Sequence, residues 1–353
     1  MDRRRALVFS HSHMSSRPHI SFLRIPILPI LAILAVASLV ALTGCTTIKV
    51  KMGMRVLLEK TPIASIAASL PNGPGIAPGE KSPLVVVVTE PNGKVLQTEG
   101  KGGGKVLWKD ITVAPTLVTA NQKGILSLPK DPRKSDGKVG HVTITVPSHP
   151  DMKFDLDIPV RYNYAFTSNF SGSSGSGGTS GSDGMAGSSG SMGSTDPNNP
   201  SAGGNGGNGT NGSDGGDGGP GGDAPAVQVR ATVRPGGHPL LQVSVSAAGK
   251  TRFYLVDPQG GSLTVSADGG AGGSGGRGGR GGAGGSGGIG SPSGSSGSSG
   301  SDGRNGFDGS PGKGGMITVT YDPQVKPLLG MIHLSFKYGP APVFKEEAVA
   351  PLW

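Results

Sequence analysis

The sequence predicts a mainly β protein. An immunoglobulin-like β-sandwich is followed by a second small β unit, and two inserted glycine-rich hairpins form a polyproline II-type helix bundle. Three observations carry this. Glycine recurs at every third position through 269–290 and again through 294–315, the rhythm slipping once at Ser293. A second tract, 172–221, keeps the same period and is interrupted by Thr195-Asp196-Pro197-Asn198-Asn199-Pro200. Short runs of alternating apolar and polar residues, the mark of half-buried strands, flank both tracts.

In chain order, residues 1–44 read as an export signal peptide. Arg3, Arg4, Arg5, Arg17 and Arg24 precede an apolar run over 25–42, which ends in Leu42-Thr43-Gly44-Cys45. An uncleaved membrane helix is the competing reading, because the run is just long enough to span. Cys45 is the only cysteine, so a disulfide-stapled domain is excluded. Of the formal net charge of +9, +4 lies in the leader, and the +5 left over the other 309 residues is mild. No stripe of Lys and Arg with interleaved aromatics follows, so nucleic acid is not expected as a partner.

Residues 45–170 read as the β-sandwich domain. Runs at 84–89, 94–98, 105–108, 111–113, 125–128 and 141–146 are separated by turns such as Pro91-Asn92-Gly93 and Asp136-Gly137. The clearest strand is 152–164, where Met152, Phe154, Leu156, Ile158, Val160, Tyr162 and Tyr164 alternate with polar residues or Pro159, which belongs at an edge or bulge. Some seven strands in about 120 residues fit an immunoglobulin-like sandwich.

The tracts 171–224 and 269–315 are the two hairpins. A three-residue period matches the polyproline II helix, and glycine on every turn lets another backbone approach. Broken at their midpoints, the tracts give four legs of nearly equal length, 172–195, 203–223, 269–292 and 294–315. Legs 203–223 and 269–289 read mostly Gly-Gly-X and should be central, with Gly206, Gly215, Gly218, Gly275, Gly278, Gly281 and Gly284 as packing glycines. Asp214, Asp217 and Asp223 on one inner leg are expected to face Arg277 and Arg280 on the other. Two other readings compete. Collagen is opposed by the scarcity of proline in the tracts, and disorder is the usual fate of Gly/Ser-rich sequence. The second β unit is split around the later hairpin, 225–268 plus 316–338, and 339–353 reads as an extended tail.

Searches for chemistry fail residue by residue. Gly249-Lys250-Thr251 lies between two strands and lacks the first glycine of a phosphate loop. Gly272-Gly273-Ser274-Gly275-Gly276 matches a nucleophile elbow by letter only. His141 and His149, with Asp151 nearby, lack a third ligand at metal-binding spacing, and the Asp-Gly pairs lack the nine-residue calcium period. Trp108 reads as core and Phe307 as a rim contact. No catalytic, cofactor or metal residue is assigned, and no enzyme activity is expected.

Two resemblances extend this reading. Leu42-Thr43-Gly44-Cys45 resembles the lipobox of bacterial lipoproteins, which implies cleavage before Cys45, its lipidation, and a lipid membrane as partner. Thr46 in place of aspartate implies sorting to the outer membrane. The collagen-like Gly-X-Y tracts resemble the polyglycine II helix bundles of some phage tail-fibre tips and of a glycine-rich arthropod antifreeze protein, over about 100 of 353 residues. The expectation is a non-enzymatic, lipid-anchored cell-envelope lipoprotein acting as rigid spacer, scaffold or adhesin, with surface glycans or other envelope proteins as partners. The alternatives are an ice- or polysaccharide-binding surface, and two β domains on disordered glycine linkers.

Overall fold

The computed structural model describes residues 49–50 and 52–353. The leader and Cys45 lie outside the described residues. Among the described residues, seventeen strands form five sheets.

The first nine strands are β1 (Ser65–Ser69), β2 (Lys81–Pro83), β3 (Val85–Thr89), β4 (Val95–Gln97), β5 (Thr112–Thr116), β6 (Thr119–Ala120), β7 (Ile125–Ser127), β8 (Val139–Val146) and β9 (His149–Pro159). They make three antiparallel sheets of three strands, β1-β3-β4, β2-β7-β6 and β5-β8-β9. One apolar core joins them, with Leu58, Ile76, Leu126, Val142 and Ile144 fully buried. The general sandwich-like β character stands, but the two-sheet immunoglobulin arrangement is corrected to three small sheets. Trp108 belongs to this core. Gly124, at φ +68°, lies against its ring, where a Cβ would overlap the indole. The long alternating run pairs with β8 as far as Pro159, which has no amide hydrogen to continue that ladder, and Val160 then bridges to Ile76.

The second core is built by β10 (Ala165–Asn169), β11 (Val227–Arg234), β12 (Leu240–Ala247), β13 (Lys250–Val256), β14 (Ser262–Ser266), β15 (Ile317–Tyr321), β16 (Ile332–Ser335) and β17 (Val343–Glu346). One sheet runs β13-β12-β11-β15-β17 and the other is the all-parallel β10-β14-β16. Alternation decides the faces: Val227, Val229 and Ala231 are buried while Gln228 and Arg230 are exposed. Phe166 on β10 and Ala77 from the first nine-strand unit also pack in this core.

The four glycine legs grow directly out of these strands. Leg 172–195 follows β10, leg 203–223 leads into β11, leg 269–292 follows β14, and leg 294–315 leads into β15. Strands β10 and β14 pair in parallel at an offset of 97, as in Ala165↔Ser262, and the same offset links Asp183 to Arg280 far along the legs. Strands β11 and β15 pair in parallel at an offset of 90, as in Val227↔Ile317, which persists out to Asn205 and Ser295. The sheets set a register that the legs carry on.

The expected polyglycine or polyproline II-type helix bundle, and the collagen-like description with it, is corrected. The regular structure is β, and the one helical element longer than three residues among the described residues is the 3-10 stretch Pro323–Met331, outside both tracts. No tract residue is assigned to an α, 3-10 or π helix, and Pro197 and Asn198 form a turn closed by the Asn199 amide on the Asp196 carbonyl. The legs are non-helical segments of one chain, hydrogen-bonded to their neighbours. They run in both directions, whereas the three chains of collagen run in one.

The tail is docked. Val343–Glu346 adds a strand beside β15, and Val349 is buried. The Trp353 indole donates to Asp136 Oδ2 at 3.1 Å and meets Phe253 edge to face. Asp136 also pairs with Arg234 and accepts from the Tyr162 hydroxyl at 3.5 Å, so one carboxylate ties the two β units and the tail together. Burial, reinforced by this carboxylate, raises the Tyr162 pKa and keeps the phenol protonated.

Candidate functional site

The glycine legs are the feature that most sets this chain apart, and their order comes from backbone amides. Leg 172–195 donates every third N–H to the stretch 268–289: Gly172 to Asp268, Gly175 to Ala271 and Gly178 to Ser274, each at 2.8 Å. Leg 203–223 donates to both outer legs, through Gly207 to Ser188 at 2.8 Å and Gly206 to Ser295 at 2.9 Å. Gly273 donates back to Gly219 at 2.9 Å, and Gly297 to Gly285 at 2.9 Å. The legs 203–223 and 269–292 therefore bond to all three neighbours, and each outer leg to two. The result is a hydrogen-bonded array with a two-leg centre.

Such close approach requires glycine. A Cβ at Gly206, Gly215 or Gly218 would overlap the carbonyl oxygen of Gly285, Gly276 or Gly273 respectively. At Gly275, Gly278, Gly281 and Gly284 the obstructing oxygens are those of Gly306, Gly303, Gly300 and Gly297. The obstacle is backbone in every case, so no rotamer change relieves it.

Other leg amides are satisfied by short side chains. Ser295, Ser298 and Ser301 donate their N–H to Asn205, Asn208 and Asn211 Oδ1, each at 2.9 Å. Arg304, Phe307 and Lys313 donate to Asp214, Asp217 and Asp223 Oδ1, each at 2.7 Å. The column skips position 220, a proline with no acceptor on its side chain. On the other side Gly275, Gly278 and Gly281 donate to Asp308, Asn305 and Asp302. The expected pairing of Asp214, Asp217 and Asp223 with Arg277 and Arg280 is thus replaced by bonds to main-chain amides. Geometry gives the reason: the two central legs face one another through glycine, so their third residues point to opposite sides. The Asn and Asp column went unread in the sequence, although an Asn or Asp at nearly every third position in 205–223 was its signal.

The exposed side chains of the array are mostly Ser, Thr, Asn and Asp, with few large apolar groups. Phe307 is 81% exposed and Met185 77%. Met192 and Ile289 are 78% and 59% exposed near the far turn, where Gly193 donates to the Ile289 carbonyl at 2.7 Å.

The other sites considered in the sequence are placed as follows. Lys250 opens β13 after a tight turn with Ala248 and Gly249 at positive φ, so Gly249-Lys250-Thr251 is a hairpin. Gly272 to Gly276 lie inside a central leg. The His149 ring hydrogen-bonds the Ser148 hydroxyl, whereas His141 meets Asp157 Oδ1 at 2.8 Å and Asp155 Oδ1 at 3.2 Å on an exposed sheet face. Among the described residues no group of three His, Cys, Asp or Glu is placed to hold a metal ion. No helix among them is long and apolar enough to cross a membrane.

The His141 cluster gives a pH signature. Hydrogen bonds that the ring donates to Asp157 and then Asp155 raise the His141 pKa above its ordinary 6.5, while Thr143 and Lys153 hold the Asp155 carboxyl down to about 2. The histidine contribution is therefore complete below its unfolded pKa and fades as pH rises through the folded one. The Asp155 contribution is complete above its ordinary 3.8 and is lost as pH falls toward 2. In an NMR titration the His141 ring protons should show a midpoint above that of a free histidine, and Asp157→Asn should lower it. An ordinary midpoint unmoved by that change would refute the coupling.

Comparison of the chain with protein-family models, with curated proteins and with solved structures gave no match.

Proposed function

We propose that this chain is a non-enzymatic structural protein of the bacterial cell envelope, anchored in the outer membrane by lipid on Cys45. Its two β units form a base from which the four-leg array projects as a rigid spacer, scaffold or adhesive surface. The observation that carries the reading is the unbroken run of inter-leg amide bonds in register with the sheets. A linker needs no such bonds, and an array held at every third residue along four legs transmits position and load. The polar faces, bare of a catalytic cluster, suit contact with hydrated surfaces such as glycans or other envelope proteins.

Two readouts on the full chain test this. Expressed in a Gram-negative host with radioactive palmitate, the protein should be labelled and recovered with the outer membrane, and Cys45→Ala should abolish the label. By hydrogen exchange, the array glycine amides should be protected comparably to the strands they extend. A cytosolic, unlabelled product would refute the envelope assignment. Free exchange of the array amides would refute the rigid spacer.

A further inference from the structure

A cleft opens where the first nine-strand unit meets the base of the array. Its cavity volume is about 380 Å³, within the range of small-ligand pockets. Lys130 and Asp131 approach from the first unit, and Tyr164, Thr167, Arg252 and Phe253 from β10 and β13 and the residues beside them.

The charge balance in this cleft is positive. Asp131 is committed to Arg133, whose guanidinium binds both its oxygens, Nε to Oδ1 at 2.9 Å and Nη2 to Oδ2 at 2.7 Å, and lowers its pKa. Arg133 also lies over the Phe253 ring at 3.8 Å, which fixes it in place. Arg252 spends one nitrogen on the Asn169 carbonyl at 3.2 Å and rests on Phe170, leaving the rest of its fork for an acceptor. Lys130 is exposed at the rim.

The strand edge adds directed polar groups. Ser262 donates to the Tyr164 carbonyl and Phe170 to that of Ser266, so the even-numbered residues of β10 bond to β14. Alternation then turns the main-chain groups of Ala165, Thr167 and Asn169 outward. Two carbonyls on this edge are already taken, Thr167 by the Tyr254 hydroxyl at 3.2 Å and Asn169 by Arg252. An added peptide strand would compete with both. What the edge still offers is N–H donors, beside the hydroxyls of Thr167 and Thr251 and the rings of Tyr164 and Phe253.

We infer that this cleft binds an acidic sugar unit, a carboxylate-bearing pyranose at the end of or within a polysaccharide. Arg252 and Lys130 take the carboxylate, the edge amides and threonine hydroxyls take the ring hydroxyls, and the aromatic rings face the apolar side of the sugar. The inference does not rest on the array; it uses the base alone.

The test is calorimetric titration of the full chain with a galacturonic acid disaccharide and with the neutral galactose disaccharide. The acidic sugar should bind at least about tenfold more tightly than the neutral one, a difference worth about 1.4 kcal/mol. Added salt should weaken it. Lys130→Ala and Arg252→Gln should each reduce affinity about tenfold, with Lys130→Ala the safeguard because the Lys130 side chain is exposed and only its stem rests against Gly79. Gly276→Ala, in the array, should leave binding intact. No heat from the acidic sugar, equal binding of the neutral one, or wild-type affinity in Lys130→Ala would each overturn the inference.

Discussion

Gly276→Ala is expected to destabilise the array by about 3 kcal/mol, although alanine usually stabilises a flexible chain. Replacing glycine gains about 0.4–1 kcal/mol by restricting the unfolded state when the site accepts a Cβ. Here it does not, because the Cβ would overlap the Thr179 carbonyl oxygen. Gly276 donates to Gly216 at 2.8 Å and accepts from Gly306 at 2.9 Å, and Gly216 itself donates to Thr179 at 2.8 Å. Separating the legs there lengthens three bonds worth about 1 kcal/mol each. Arg277→Ala, one residue on and exposed, is the control and should fall within about 0.5 kcal/mol of the parent. Hydrogen exchange across the four legs reads the difference. Equal protection in both variants would mean that the close approach of the legs contributes nothing.

The second large effect belongs to Asp136. Its side chain, 16% exposed, serves Arg234, Trp353 and Tyr162, which come from three separate parts of the chain. Asp136→Ala strands a guanidinium and two other donors. Breaking a fully buried pair costs about 3–5 kcal/mol. The Arg234 side chain is 27% exposed, so solvent screening reduces the expectation to about 2 kcal/mol. Thermal unfolding should register the loss, and protease should cut the tail near Val349 sooner than in the parent. Asp136→Asn, which keeps one acceptor, should lose less. An unchanged tail in Asp136→Ala would place its anchorage elsewhere, in Val349 and the strand beside β15.

These two positions mark what was legible in the sequence and what was not. The strands of the second unit could be read because burial on one face forces alternation, as in Val227, Val229 and Ala231. The glycine period located the legs and the residues that must lack a side chain, since backbone contact leaves no other choice. The secondary structure of the legs was misread, and so was the destination of Asp214, Asp217 and Asp223. Local composition says that a carboxylate is present but not whether it meets a guanidinium or an amide. Nor does a run of short strands reveal how many sheets they form. That depends on pairings between residues far apart in sequence, such as Lys81 with Ser127. The Asp136 hub was invisible for the same reason, as two of its three partners are 98 and 217 residues away.

The constant offsets of 90 and 97 restrict how the array can change in length. A residue added to one leg shifts every later amide off its acceptor, while three added to each leg of a single hairpin leave one rung without partners. Only a triplet inserted at the same level of all four legs restores every bond. The reach of the projection is therefore quantised. It can grow or shrink through twelve-residue changes split between two distant segments, with the β base and its cleft left untouched.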